Sequence, residues 1–317
     1  MRRWTSLFLL AATMMLLASE LRGQDATADE FGESVAVNYV IVPFVLLNDR
    51  GTPIKNLRRK QFELLVDGRP VDIDLFERST QSPVSFTILL DGSGSMALGD
   101  KLEGAKRALS TLIQRGRKGD DYSLYVFSAG EVRREVEFTT DGRRILTAVD
   151  EVEPFGKTAL FDAILQIPDE TILGRNGVRA IVLLTDGLDN ASSIDRPKLQ
   201  KALEALSVPV YPLGLRTVAS IEAEKKQNRE ATLDLFVLAG LAGASGGRMA
   251  ITTGLESLDE AISDILLDLR SQYVVGFKPS GRDGVRYRAI SLQVNRDIGS
   301  VRIRAGYRGT APPIKIR

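Results

Sequence analysis

The residues best suited to chemistry form a short loop after a mainly apolar segment. The run from Val84 to Leu90 ends at Asp91, and Ser93 and Ser95 follow at alternate positions with glycines between them. A strand that ends in such a loop presents one carboxylate and two hydroxyls. Hard oxygen ligands of this kind suit Mg²⁺, Mn²⁺ or Ca²⁺. The loop therefore predicts part of a divalent cation site.

Two distant segments offer oxygen ligands of the same kind. Thr158 precedes a predicted helix, and Asp186 follows the apolar stretch that ends at Thr185. Ligands of open α/β sheets bind beyond the carboxyl ends of the parallel strands. We therefore expect one edge of the sheet to carry five metal ligands: Asp91, Ser93, Ser95, Thr158 and Asp186. Because Mg²⁺ takes six oxygens, water or an outside carboxylate would complete the coordination.

The composition excludes several classes of site. The chain of 317 residues contains no cysteine and no histidine, so disulfides, Ser-His-Asp triads, cysteine nucleophiles, and zinc or haem ligation by these residues are ruled out. The 42 basic and 41 acidic residues give a net charge of +1, which indicates no nucleic-acid footprint. Any catalysis would depend on carboxylates, hydroxyls, Lys or Tyr.

Residues 84–270 alternate between predicted strands and helices, as in a doubly wound, mostly parallel α/β domain. The strands are apolar on both faces, which is typical of a buried parallel sheet; they are 84–90, 122–128, 178–184, 208–215 and 247–251. A more exposed edge strand is predicted at 131–138. The predicted helices are 102–113, 159–167 (ended by Pro168), 197–206, 233–243 and 255–269. The apolar stretch from Phe236 to Leu241 is expected to be core.

The two flanks, 35–80 and 271–310, are rich in β signals. Asp67-Gly68 is a strong hairpin turn, with a return strand predicted through the alternation of Val71, Ile73 and Leu75. The C-terminal flank predicts three strands, at 273–277, 287–294 and 301–307. Neither flank can bury its apolar face alone. We therefore expect the flanks to form one β-sandwich into which the α/β domain is inserted.

The N-terminus predicts export. Arg2 and Arg3 precede an apolar segment, Leu7 to Ala18, which is typical of a signal peptide. Cleavage after Gly23 would leave residues 24–34 as a flexible leader. The apolar segment is shorter than the ~20 residues a membrane span needs, and no later segment is long enough. We expect a periplasmic or secreted protein without a stable membrane span.

The five candidate ligands resemble the DxSxS…T…D pattern of von Willebrand factor type A domains, where it forms the metal-ion-dependent adhesion site. The segment from Gly156 to Ala163 is also similar to the family's sequence around its threonine ligand. The resemblance covers roughly residues 82–270. The flanks resemble exported bacterial proteins known as VWFA-related acidobacterial domain proteins. These similarities imply an adhesion or assembly module rather than an enzyme.

The resemblance also implies how the site works. Ser93, Ser95 and Thr158 would coordinate Mg²⁺ (or Mn²⁺ or Ca²⁺), Asp91 and Asp186 would bind it directly or through water, and an Asp or Glu of a protein partner would take the open position. One alternative is a metal-dependent hydrolase or phosphotransfer enzyme, although the lack of histidine leaves no ready base near neutral pH. Another is a scaffold whose metal is only structural.

Overall fold

The computed structural model describes residues 39–79, 81–187, 189–194, 198–199, 203, 206–216, 230–252, 254–279, 286–294 and 299–308. The predicted signal peptide and leader lie outside these residues, as does most of the predicted helix 197–206. Within the described part, the predicted fold class is confirmed: a mostly parallel sheet flanked by helices is combined with antiparallel sheets from the two flanks.

The inner strands of the central sheet are buried on both sides, whereas the antiparallel edge strand is mostly exposed. Its strands are β5 (Val84–Asp91), β6 (Asp121–Ser128), β7 (Glu131–Thr139), β8 (Val178–Thr185), β9 (Val210–Leu215) and β10 (Ala250–Thr252). The order is β10-β9-β8-β5-β6-β7, with only β7 antiparallel at the edge. Because β5 lies between β6 and β8 and is parallel to both, the chain winds in both directions from β5. Ligands bind at such a switch point.

Helices cover both faces of this sheet. One face packs against α1 (Lys101–Gln114), α2 (Gly142–Asp150) and α5 (Leu255–Leu269), through residues such as Leu109, Ile145 and Ile262. The other face packs against α3 (Leu160–Glu170) and α4 (Glu230–Ser245), through residues such as Ile164 and Leu241. Successive side chains of a strand pack into opposite cores: Ile88 and Leu90 lie on one side of the sheet, and Leu89 lies on the other. This burial on both faces explains the apolar strands.

Two antiparallel sheets built from the flanks share one core. The N-terminal flank supplies β1 (Val40–Leu47), β2 (Phe62–Val66), β3 (Arg69–Pro70) and β4 (Leu75–Arg78). The C-terminal flank supplies β11 (Tyr273–Phe277), β12 (Tyr287–Val294), β13 (Ser300–Ile303) and β14 (Gly306–Arg308). The first sheet has the order β13-β1-β11-β4, and the second β14-β12-β2-β3. Phe44 and Tyr273 of the first sheet join Phe62 and Leu292 of the second in the core.

Two strand predictions in the flanks were wrong in the same way. The return strand after the Asp67-Gly68 turn pairs only over β3, and the chain then crosses to the first sheet as β4. The predicted strand 301–307 is likewise divided, because β13 pairs with β1 whereas β14 pairs with β12. The alternating pattern was correct, but periodicity alone does not reveal that a chain changes sheets.

Two helix predictions also needed correction. Helix α3 does not end at Pro168 but continues to Glu170 and passes into a 3₁₀ turn, because a proline in the last turn removes a single backbone hydrogen bond. The apolar stretch of α4 around Phe236 was expected to be core. Leu238 and Leu241 are buried, but the Phe236 side chain is 70% exposed. No helix in the described ranges has the length and apolarity of a membrane span.

Candidate metal centre

Asp91 is the last residue of β5, and its carboxylate is completely buried. The Thr185 hydroxyl donates a hydrogen bond to Oδ2 at 2.7 Å, and the Ser93 backbone N–H donates to Oδ1 at 2.9 Å. Burial raises the pKa of Asp91 to about 6; the hydrogen bonds oppose this shift, whereas the negative charge of Asp186 adds to it. A carboxylate in these surroundings would be stabilised by a cation.

The two serine hydroxyls of the loop lie close to one another. Ser93 Oγ and Ser95 Oγ are 3.0 Å apart, and Ser93 is buried. Ser93 precedes a 3₁₀ turn, Gly94–Ala97, in which Met96 is fully buried. The loop is thus anchored in the core by Met96 while its hydroxyls stay beside the end of β5.

The loop that carries Thr158 is joined to the serine loop by backbone hydrogen bonds. The Gly94 N–H donates to the Gly156 carbonyl at 3.0 Å, and the Phe155 N–H donates to the Gly92 carbonyl at 2.9 Å. Gly156 has φ +75°, and a Cβ added there would lie 2.8 Å from the Ala129 Cβ. A side chain at this position would therefore push the Thr158 loop away from the turn between β6 and β7, where the Ala129 N–H donates to the Lys157 carbonyl at 2.8 Å. Thr158 itself is buried.

Two polar side chains after β8 organise the Thr158 loop. Asn190 Oδ1 accepts a hydrogen bond from the Thr158 N–H at 2.9 Å, and Asp189 Oδ1 accepts one from the Leu160 N–H at 2.8 Å. The Thr158 carbonyl in turn accepts from the N–H groups of Asn190 and Ala191, both at 3.0 Å. These contacts fix Thr158 beside the loop that begins at Asp186.

Asp186 forms a buried ion pair that the sequence did not predict. Lys101 Nζ lies 2.7 Å from Asp186 Oδ2, and the exposed fractions of the two residues are 8% and 3%. A second cationic side chain, Arg216, lies within electrostatic range: burial lowers its pKa, and the charge of Asp186 opposes that shift. A sequence signal existed, because Lys101 is the first residue of α1, where the helix dipole disfavours a positive charge.

The structure thus brings the five predicted residues to one edge of the sheet. Asp91 and Asp186 follow adjacent parallel strands, and backbone hydrogen bonds connect the three loops. Within the ranges that the structure describes, no cluster of three or more Asp, Glu, His or Cys side chains is placed to hold a metal. A cation here would therefore depend on hydroxyls as well as on two carboxylates, which is a donor set that fits Mg²⁺. Sequence reasoning missed Lys101 and Thr185.

Residues 86–206 match the family model of the von Willebrand factor type A domain. This range includes all five candidate ligands. Among curated proteins, no sequence matches the chain.

Several solved structures resemble the chain. An aerotolerance-related membrane protein from Bacteroides fragilis is 23% identical, with a TM-score of 0.46 over 58% of this chain and 98% of that one. A von Willebrand factor type A protein from Catenulispora acidiphila is 12% identical, with a TM-score of 0.48 over 86% and 72%. The PilB minor pilin from Streptococcus sanguinis is 15% identical, with a TM-score of 0.43 over 60% of this chain; the chain spans 62% of the pilin.

Proposed function

We propose that the chain is an exported, non-enzymatic module that binds a protein ligand through a divalent cation. The observation that carries the proposal is the pair of carboxylates, Asp91 and Asp186, at the ends of adjacent strands. The match of residues 86–206 to the von Willebrand factor type A family supports it.

The cation would be Mg²⁺, or Mn²⁺ or Ca²⁺, held by Ser93, Ser95 and Thr158 together with Asp91 and Asp186. Two carboxylates balance the charge of the ion, while neutral hydroxyls leave it a strong Lewis acid. Such an ion attracts an oxygen anion at its remaining position. An Asp or Glu side chain of a partner supplies that anion.

The surroundings of the site support a protein as the partner. Leu98 and Phe155 lie in the two loops of the site and are 64% and 53% exposed. Helix α4 passes the loop after Asp186, because a Cβ added to Gly187 would lie 3.1 Å from Leu235 Cδ2, and the next residue of this helix, Phe236, is largely exposed. Exposed apolar and aromatic side chains around a polar centre are typical of protein-binding surfaces.

The chemistry of the site favours binding over catalysis. The chain has no histidine. Asp91, whose pKa is raised to about 6, is fully enclosed by its neighbours, so it is not placed to exchange a proton with a substrate. Export is inferred from residues 1–23. The resemblance of the flanks to the exported VWFA-related acidobacterial domain proteins points the same way.

Calorimetric titration with Mn²⁺ tests the proposal on the wild type and on Asp91→Asn. Asp150→Asn is the control, since Asp150 is an exposed carboxylate at the end of α2. We expect the wild type and the control to bind one ion and Asp91→Asn to bind it far more weakly. Equal binding by all three proteins would refute the metal site.

The open coordination position is tested separately by water-proton relaxation of the Mn²⁺-loaded protein, with acetate as the carboxylate probe. We expect enhanced relaxation that acetate reduces, because acetate displaces a metal-bound water. A bound ion without exchangeable water would identify a structural scaffold instead. Hydrolysis of p-nitrophenyl phosphate by the wild type but not by Asp91→Asn would identify an enzyme.

A further inference from the structure

Arg304 is a buried cation in the two-residue connection between β13 and β14, where the chain crosses from one sheet of the sandwich to the other. Its side chain is 5% exposed. One guanidinium nitrogen, Nη2, donates to the Ile41 carbonyl at 3.1 Å, whereas Nε has no hydrogen-bond partner. Burial lowers the pKa of Arg304 to about 10. A buried guanidinium is costly unless an anion accompanies it.

No carboxylate among the described residues forms an ion pair with Arg304. The contrast with Arg302, two residues earlier in the chain, is informative. Arg302 contacts Asp268 at 2.5 Å, and Arg248 contacts Asp264 at 2.9 Å. Arg302 and Arg248 are thus neutralised by carboxylates of the described residues, whereas Arg304 is not.

Arg304 lines a cavity of about 790 Å³ between the sandwich and the start of the parallel strands. Arg78, Arg179 and Arg308 line the same cavity, and among the described residues Glu77 is the one acidic residue that lines it. Two further buried donors there lack partners: Ser79 Oγ, in a residue that is 6% exposed, and Arg179 Nε. The cavity therefore combines excess positive charge with unused hydrogen-bond donors.

The other walls of the cavity are largely apolar, with Tyr39, Ile41, Pro43, Val208 and Pro209 among them. Its volume lies within the range of small-molecule sites, roughly 300–1,000 Å³. An arginine fork suits the planar or tetrahedral oxygens of a carboxylate or phosphate. The ligand that meets these conditions has one oxyanion group and an apolar body.

We propose that this cavity is a second binding site, which takes a small organic anion whose carboxylate or phosphate group pairs with Arg304. Ser79 and Arg179 add hydrogen bonds to the anionic group, and the apolar wall covers the remainder of the ligand. Pro83 and Val178 of the cavity stand at the beginning of β5 and β8, and the metal ligands stand at the opposite ends. The two sites are therefore roughly 25 Å apart, and this proposal does not depend on the metal.

Calorimetry and thermal unfolding of the purified protein with octanoate and octyl phosphate test the site. Inorganic phosphate and octanol provide the two halves of the ligand separately. We expect one or both amphiphilic anions to bind and raise the Tm, and octanol to have no effect. The comparison of octanoate with octyl phosphate identifies the preferred anionic group. No binding by either at millimolar concentration would overturn the proposal.

Arg304→Met is the decisive variant, because it removes the charge while keeping an unbranched apolar side chain of similar length. We expect affinity for the anion to fall at least about 30-fold and the Tm in anion-free buffer to rise, since an unpaired buried charge is lost. Unchanged anion affinity, or a lower Tm that marks Arg304 as a structural donor to Ile41, would contradict the inference.

Two further variants provide a smaller change in the cavity and a control for lost charge. Ser79→Ala retains Arg304 and removes one small donor, so it should fold normally and bind the anion more weakly. Arg133→Met, on the exposed edge strand β7, controls for the loss of positive charge and should bind the anion as the wild type does. Arg304→Met should bind Mn²⁺ as the wild type does. This titration therefore distinguishes failure of the anion-site proposal from failure of the metal-site proposal.

Discussion

Replacing Lys101 with methionine should make the protein bind a divalent cation more tightly. Lys101 Nζ lies 2.7 Å from Asp186 Oδ2, and an ion on the same oxygen would lie about 2.1 Å from it. The two positive charges would then be at most about 4.8 Å apart. Between a double charge on the ion and a single charge on the ammonium group, the repulsion is about 1.7 kcal/mol even with the dielectric constant of water. This energy corresponds to a roughly 20-fold change in affinity for the ion.

The same substitution should destabilise the metal-free protein. Removal of one partner leaves Asp186 buried and less well neutralised beside Asp91, at a cost of about 3 kcal/mol in the free energy of unfolding. For a chain of 317 residues the Tm in chelator would fall by about 4–5 °C, because the entropy of unfolding is about 2.1 cal/mol/K per residue. Saturating Mn²⁺ should restore most of the loss, because the ion replaces the missing positive charge.

Calorimetric Mn²⁺ titration and thermal unfolding with and without chelator measure both effects. Lys106→Met is the matched control: Lys106 lies on the same helix, and its contact with Asp150, at 3.3 Å, is largely exposed on the Asp150 side. We expect the control to behave as the wild type does. If Lys101→Met binds Mn²⁺ no more tightly than the wild type, Lys101 and the ion do not compete for Asp186, and the reasoning is refuted.

Three other substitutions test the architecture of the site. Thr185→Val removes the hydrogen bond to the buried Asp91 carboxylate and should lower the free energy of unfolding by about 1.5–3 kcal/mol; a change below this range in urea unfolding would mean that the bond contributes little. Gly156→Ala forces a side chain into a left-handed backbone and against Ala129, so it should lower the Tm by several degrees and weaken Mn²⁺ binding. An unchanged Tm together with unchanged Mn²⁺ affinity would show that the loop is not held as described. Phe236→Ser alters an exposed side chain and should leave stability within about 0.5 kcal/mol of the wild type. A clear loss of stability in denaturant titration would show that Phe236 is part of the core.

The sequence was sufficient for the sheet and for the edge at which the candidate ligands lie. Strands buried on both faces carry an unmistakable apolar signal, and the carboxyl ends of parallel strands fall at one edge, so the proximity of Asp91 and Asp186 followed from the pattern. Lys101 and Thr185 were missed because the sequence does not reveal what they contact. The position of Lys101 at the start of α1 indicated only an unfavourable charge, and Thr185 looks like an ordinary strand threonine. Their roles depend on which atoms the fold places within 3 Å of a buried carboxylate.

The β-sandwich was predicted as a unit, but its internal connections were not. The crossings after β3 and after β13 occur where two sheets meet, and local alternation is the same on either side of such a crossing. Arg304 shows the consequence: it continues the run of a predicted strand, yet it lies buried between sheets. The burial of Phe236 was predicted wrongly because a nearly all-apolar helix gives no sign of which side faces solvent.

The chain leaves and rejoins the sandwich through neighbouring strands, since Arg78 at the end of β4 is paired with Tyr273 at the start of β11. A force applied to a ligand at the metal edge would therefore reach the sandwich through β4 and β11, which lie side by side. The tension would act along β11, which is held against β1 from Val40↔Phe277 to Phe44↔Tyr273. Strands pulled lengthwise must break such bonds together rather than one after another. If the opposing force acts at Val40, the first residue of β1, the α/β domain would load β1 and β11 in shear.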